Sequence, residues 1–229
     1  FKKIDRSGRD TGYDIEDYMG KLLWEIEGQS LLLKAQYSEE VSDETYLGLT
    51  DADFRDNPKR RYGLSLPDEM SLRHKGYSAI YNLDLTDSVR MTATGYYNEF
   101  SRNWFKLSGG SALINAANGG DANAQAILDG TADMTGLTYK NNDREYESYG
   151  LELNFAVDLG VHQLNIGGRA HEDEVDRLQP VDVYDQVDGK LVYVSTNPIS
   201  SGDNRVEDAE AISFWLTDNW QVTDALALN

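Results

Sequence analysis

The stretch FRDNPKRRY sets Arg55, Lys59, Arg60 and Arg61 close together, with Tyr46 upstream and Tyr62 at its end. A guanidinium is a planar fork that donates paired hydrogen bonds to carboxylates and phosphates, so this stretch is a candidate contact for an anionic ligand. A competing reading folds the same stretch through pairs with Asp51, Asp53 and Asp56, or sets its cations against phosphates outside the chain. Arg102 and Trp104, in SRNWFKL, are candidates for the same vestibule or for packing within the wall of the fold.

Other constellations point to less. HEDEVDR, His171 to Arg177, gathers carboxylates beside an imidazole. Adjacent residues of a strand point to opposite faces, however, which makes it a solvated strand end rather than a metal site. GDANAQAILDGTAD has acidic spacing like that of a calcium loop, but Ile127 and Ala132 stand where oxygen ligands are required; a short helix is expected instead. No G-x-S-x-G elbow, H-E-x-x-H pair or phosphate-cradling glycine loop occurs, and no pair among the many carboxylates is singled out for glycoside chemistry. The expectation is a protein that is not an enzyme, with no catalytic residues, no metal site and no cofactor.

The chain of 229 residues carries a formal net charge of -19, which argues against binding nucleic acid, a task that needs clustered cations. With no cysteine, disulfides and thiolate chemistry are excluded. Mean hydropathy is -0.58 and no run of eighteen apolar residues exists, so no transmembrane helix is expected. A spanning strand needs only about 9 to 11 alternating residues, which hydropathy averaging misses.

Alternation of that kind recurs along the chain. In YGLELNFAVDLGVHQLNIGGRA, Leu151, Leu153, Phe155 and Val157 share one parity, and after a turn at Asp158–Val161 so do Leu164 and Ile166. Similar hairpins are predicted from about Tyr13 to Ser38, from Tyr77 to Asn98, and from Glu207 onward, the last with a muddled parity at Asp218 that suggests a bulge. Eight strands are expected, joined alternately by tight turns and by the long polar connections Glu39–Lys75, Phe105–Asn142 and Asp173–Val206. On the apolar parity, Tyr18, Tyr37, Tyr77, Tyr97 and Tyr149 stand nearest the long-loop ends, like an aromatic girdle at the headgroup level. Tight turns at one end, long loops at the other and a tyrosine row at one depth fit an outer-membrane barrel, with Leu151, Leu153, Phe155, Val157, Leu164 and Ile166 facing lipid. A soluble all-β sandwich serving as an adhesin or carbohydrate-active enzyme, and a passive porin-like barrel, are the alternatives.

ETYLGLTDADFRDNPKRRY, NNDREYESYGLEL and FWLTDNWQVTDALAL resemble the barrel of TonB-dependent outer-membrane receptors, the first two more narrowly the ferric dicitrate-type iron-chelate receptors. The resemblance spans nearly the whole chain. It implies an all-β, antiparallel transmembrane barrel of 22 strands with long extracellular loops, of which 1–229 would be part of one barrel domain. A plug domain and the C-terminal barrel strands would lie outside this chain. It implies localisation in the bacterial outer membrane and import of an iron chelate, ferric citrate or a siderophore, energised by the TonB complex through the plug. Iron enters as cargo, and outer-membrane lipid and lipopolysaccharide are the surroundings.

Overall fold

The computed structural model describes residues 2–6, as a strand, and residues 12–229. The order of elements is β1 (Lys2–Arg6), β2 (Tyr13–Ile26), β3 (Gln29–Ser42), α1 (Asp51–Asp56), β4 (Glu69–Thr86), β5 (Val89–Leu107), α2 (Ser111–Asn118), α3 (Ala122–Leu128), β6 (Met134–Asp158), β7 (His162–Leu178), β8 (Val181–Val187), β9 (Lys190–Thr196), β10 (Asn204–Thr223) and β11 (Leu226–Leu228). All eleven strands belong to one antiparallel sheet, running β1-β2-β3-β4-β5-β6-β7-β10-β11, with β8 and β9 branching from β6. No second sheet covers either face among the described residues, so the sandwich alternative is not what this sequence forms.

The register explains why. Trp24, Leu31, Tyr81, Ala93, Leu153, Gly168 and Phe214 form one cross-strand row, each directly opposite the next. The adjoining row on that face is Leu22, Leu33, Ala79, Gly95, Leu151, Ala170 and Ile212. A period of two carried in register across seven strands yields a continuous apolar face, on which Leu22, Leu151, Ile212 and Phe214 are 56 to 83% exposed. The other face is mostly polar, with Thr94, Glu152, Arg169 and Ser213 opposite one another, although Leu23, Leu32 and Ile80 form a short apolar stretch in that same row.

The tight turns fall at one end of the sheet and the long connections at the other. The turns after β2 and β6 use Gly28 and Gly160 at φ 74° and 79°, conformations that side chains with a Cβ seldom adopt. At the long-loop end of the apolar face, Tyr18 stands opposite Tyr37, and Tyr77, Tyr97 and Tyr149 stand in one row, a step of two residues along β3 from the first pair. From Tyr149 to Val157 is about 26 Å of strand, at about 3.3 Å per residue.

Three expectations need correction. The strands extend beyond the tyrosines, so the connections shrink to 43–68, 108–133 and 179–203. The third contains the β8–β9 hairpin, turned at Asp188 and Gly189 with φ 50° and 72°. β10 pairs with β7 without interruption through Asp218, which faces out with Leu216 and Trp220; the irregularity lies further on, between Gln221 and Thr223. The helix expected within residues 120–133 is present as α3, preceded by α2, and HEDEVDR lies in the last part of β7.

The buried core belongs to the loops. Leu47, Tyr62, Leu64, Leu107, Ile127, Leu128, Leu137 and Tyr139 pack together where the first two connections meet the extended ends of β5 and β6. The β8–β9 hairpin joins them through Gln186, whose Nε2 donates to the carbonyls of Ile127 (2.9 Å) and Ala132 (2.8 Å). The three connections are thus one interlocked cap.

Candidate functional site

The basic stretch in the first connection is engaged within the cap. Arg60 Nη1 pairs with Asp53 at 2.7 Å, its Nη2 pairs with Asp129 of the second connection, and its guanidinium lies 5.0 Å from the Tyr62 ring. Arg61 donates to the backbone carbonyls of Asp43 (2.8 Å), Ser65 (3.0 Å) and Asp68 (2.7 Å). The hydroxyl of Tyr62 donates to Asp53, which is the main reason the Asp53 carboxyl sits below its ordinary range. Arg55 is exposed beside Asp51 at 3.9 Å, and Lys59 is exposed. Arg60 and Arg61 therefore make the loop-folding contacts weighed above, chiefly with Asp53 and with backbone carbonyls rather than with Asp56.

Tyr46, Arg102 and Trp104 lie elsewhere. Tyr46 crosses to the polar face and stacks on Trp104 with ring centroids 4.3 Å apart, and the Lys106 ammonium sits 3.5 Å and 4.1 Å from the two rings. Trp104 is buried, and its Nε1 donates to the Glu44 carbonyl at 3.2 Å. One step down β5 on the same face is Arg102.

Arg102 opens a row. It stands directly opposite Arg144, which stands opposite Arg177, which stands opposite Arg205. Four arginines thus cross β5, β6, β7 and β10 at one height on the polar face, over about 14 Å at about 4.8 Å per strand. Lys106 and Lys140 face each other above them. Burial lowers the pKa of Lys106, and Arg102, Lys140 and Arg144 add to the effect by repulsion.

Like charges directly opposite one another in a sheet are destabilising, so a row of this kind costs stability. Neutral acceptors offset part of that cost. Arg144 Nε donates to Asn142 at 3.2 Å and its Nη1 to the Tyr146 hydroxyl at 3.3 Å, while Arg177 Nη2 donates to Gln179 at 2.5 Å. The Nε groups of Arg102 and Arg177 are buried without an acceptor among the described residues. Guanidinium groups with unused donors suit carboxylate or phosphate oxygens, the chemistry this row could offer. Sequence reasoning named Arg102 as a vestibule candidate but not Arg144, Arg177 or Arg205, because each is solitary in sequence and only register brings them together.

Further along the polar face, away from the loops, two aromatic side chains lie across glycines. Tyr96 covers Gly150 and reaches His171 Nδ1 at 2.5 Å; His171 Nε2 in turn meets Asp173 at 2.7 Å. Trp215 covers Gly167, its Nε1 within 3.2 Å of both Asn154 and Asn165. A Cβ at either glycine would collide with the ring above it. Among the described residues, no group of three or more His, Asp or Glu side chains is placed to hold a metal.

No protein-family model and no curated protein matches the chain. Among solved structures it is similar to the ferric citrate transporter FecA in the unliganded form, at 17% identity and a TM-score of 0.62, over 92% of this chain and 27% of that one. It is similar to the siderophore receptor PiuA from Acinetobacter baumannii, at 14% identity and 0.60, over 93% and 34%. It is also similar to the ferric-catecholate import receptor Fiu from E. coli K12, at 12% identity and 0.55, over 93% and 35%. The chain spans about a third or less of the length of each. At these identities the likeness is one of fold: an all-β, antiparallel sheet that matches a portion of the barrel of outer-membrane receptors.

Proposed function

We propose that this chain is part of the wall of a bacterial outer-membrane receptor that imports an anionic iron chelate, energised through TonB. The observation that carries the reading is the row Arg102, Arg144, Arg177 and Arg205 on the polar face of a chain with net charge -19. An acidic protein repels anions at long range, but salt screens that field beyond about 8 Å, so a local cation row decides affinity. Guanidinium favours carboxylate oxygens, which makes a ferric carboxylate such as ferric citrate the preferred cargo over a catecholate siderophore. In this reading the apolar face meets lipid, the tyrosine row lies at headgroup level, and the polar face lines a wet interior. Cargo contact rests with the arginine row, Lys106 and Tyr46, which stacks over the buried Trp104, while Arg60 and Arg61 fold the cap above them.

The partner complex and the plug domain through which it acts come from the family resemblance alone. The test is uptake of radiolabelled ferric citrate by cells expressing the full reading frame, with and without a functional TonB. Accumulation that requires TonB is the expected result. Accumulation independent of TonB would indicate a passive pore, and no accumulation of any ferric carboxylate would refute the assignment of cargo.

A further inference from the structure

The arginine row is not uniformly free. Arg205 Nε lies 3.3 Å from Glu207 Oε2, and the two side chains are 45% and 53% exposed. Glu207 is on the polar face, opposite Val175 and one strand further from Tyr146, lining the hollow that also includes Phe100 and Asp173. Among the described residues it is the carboxylate in ion-pair contact with a member of the row, since Arg144 and Arg177 rest on neutral acceptors. Near the same end of the row, Asp203 lies 4.0 Å from Lys140. The Asp203 carboxyl is held below its ordinary range mainly by the Ser200 hydroxyl, with help from Lys140 and Arg177. At the opposite end, Arg102 and Lys106 face no carboxylate of comparable contact among the described residues.

Resting on the reading that this row holds the cargo, we propose that Glu207 is an internal competitor for Arg205, a specificity-determining carboxylate that an incoming anion must displace. The row is thereby polarised. An anion that binds Arg102 and Arg177 displaces no paired carboxylate there, and it gains Arg205 only by exchange for Glu207. A monocarboxylate that exchanges one for one at Arg205 gains almost nothing there, because one charge-assisted contact replaces another of the same kind. A ligand with several carboxylates holds Arg102 and Arg177 at once and tolerates the exchange. Glu207 thus raises the threshold against small monoanions while leaving a polycarboxylate bound. Because the pair is half exposed, its competition is modest, about three- to five-fold in affinity.

The experiment is ferric citrate binding to the purified full-length receptor carrying E207Q, R205Q, both together, or D208N. Asp208 is the neighbouring carboxylate on the opposite face, opposite Glu174, so D208N removes the same charge without touching Arg205. The expected result is about three- to five-fold tighter binding in E207Q, no such gain when R205Q is already present, and no change in D208N. Unchanged or weaker binding in E207Q overturns the proposal, as does a gain that survives R205Q or is matched by D208N, either of which marks a general charge effect. R102Q with R177Q separates the two levels. If that pair abolishes binding while E207Q does nothing, the site stands and the competitor is wrong; if that pair leaves binding unchanged, the site reading itself fails.

Discussion

Leu153→Arg tests the two-faced character of the sheet. Leu153 faces outward at 41% exposure, flanked directly by Ala93 and Gly168. Those neighbours are small, so the substitution empties no packed core and its cost is almost wholly that of placing a cation in its surroundings. It lies four residues from Tyr149, about 13 Å along the strand, or about 10 Å in depth at the usual tilt of 35 to 45°. With the tyrosines at headgroup level, that is close to the midplane of an apolar band about 25 Å tall, where an arginine costs about 2 to 4 kcal/mol. Thr94 supplies the control, at the same height on β5 but on the polar face and opposite Glu152. Thr94→Arg would keep its charge in water beside a carboxylate, and its cost should stay below about 1 kcal/mol. Asn154 serves less well as a control, because it accepts a hydrogen bond from Trp215. The assay is a urea titration of folding into thin-chain lipid vesicles, read by tryptophan fluorescence and gel mobility. Equal penalties on the two faces, or a penalty for Leu153→Arg below about 1 kcal/mol, would refute the lipid assignment.

Two further outcomes are expected. Gly167→Ala should displace Trp215 and cost about 1 to 3 kcal/mol in the same titration, with a shift in tryptophan emission, because the added methyl enters the space of the indole. Asp68 is fully buried, with Thr45 donating to Oδ2 at 2.6 Å and the Leu107 N–H to Oδ1 at 2.8 Å. Burial pushes its carboxyl above the ordinary aspartate value, so the folded cap binds a proton more readily than the opened one. The contribution of Asp68 to cap stability is therefore full below the ordinary aspartate value and is lost as pH rises through the raised one. Hydrogen exchange at the Leu107 amide should report that loss, and Asp68→Asn should flatten its pH dependence.

How much was legible follows from which residues carry signal. Between the tyrosines and the turns, one face is apolar and the other polar, so Leu151, Leu153 and Phe155 against Glu152 and Asn154 print a period of two that needs no structure to read. Beyond the tyrosines both faces carry polar side chains. Asp173 to Asp176 lose the alternation although the backbone ladder continues, which is why that strand was expected to end early. The β8–β9 hairpin did leave a trace, an Asp188-Gly189 pair between Val187 and Lys190, the strongest local sign of a two-residue turn. The arginine row left none. Arg102, Arg144, Arg177 and Arg205 become neighbours only through three pairings whose registers are set by turns and core patterns far from the arginines themselves. FRDNPKRRY, by contrast, is conspicuous in sequence because it folds locally.

The most direct test of the central claim is the affinity of the full-length receptor for ferric citrate with Arg102 and Arg177 both changed to glutamine, measured by equilibrium binding at fixed ionic strength. These two carry the buried Nε groups without an acceptor. Each charge-assisted bond is worth about 1.5 to 3 kcal/mol, so the pair of changes should weaken binding by at least about a hundred-fold, with barrel assembly unaltered. Arg60→Ala, in the cap, should weaken binding far less. Unchanged affinity in the Arg102 and Arg177 variant, or a larger loss from Arg60→Ala, would contradict the placement of the cargo on the arginine row.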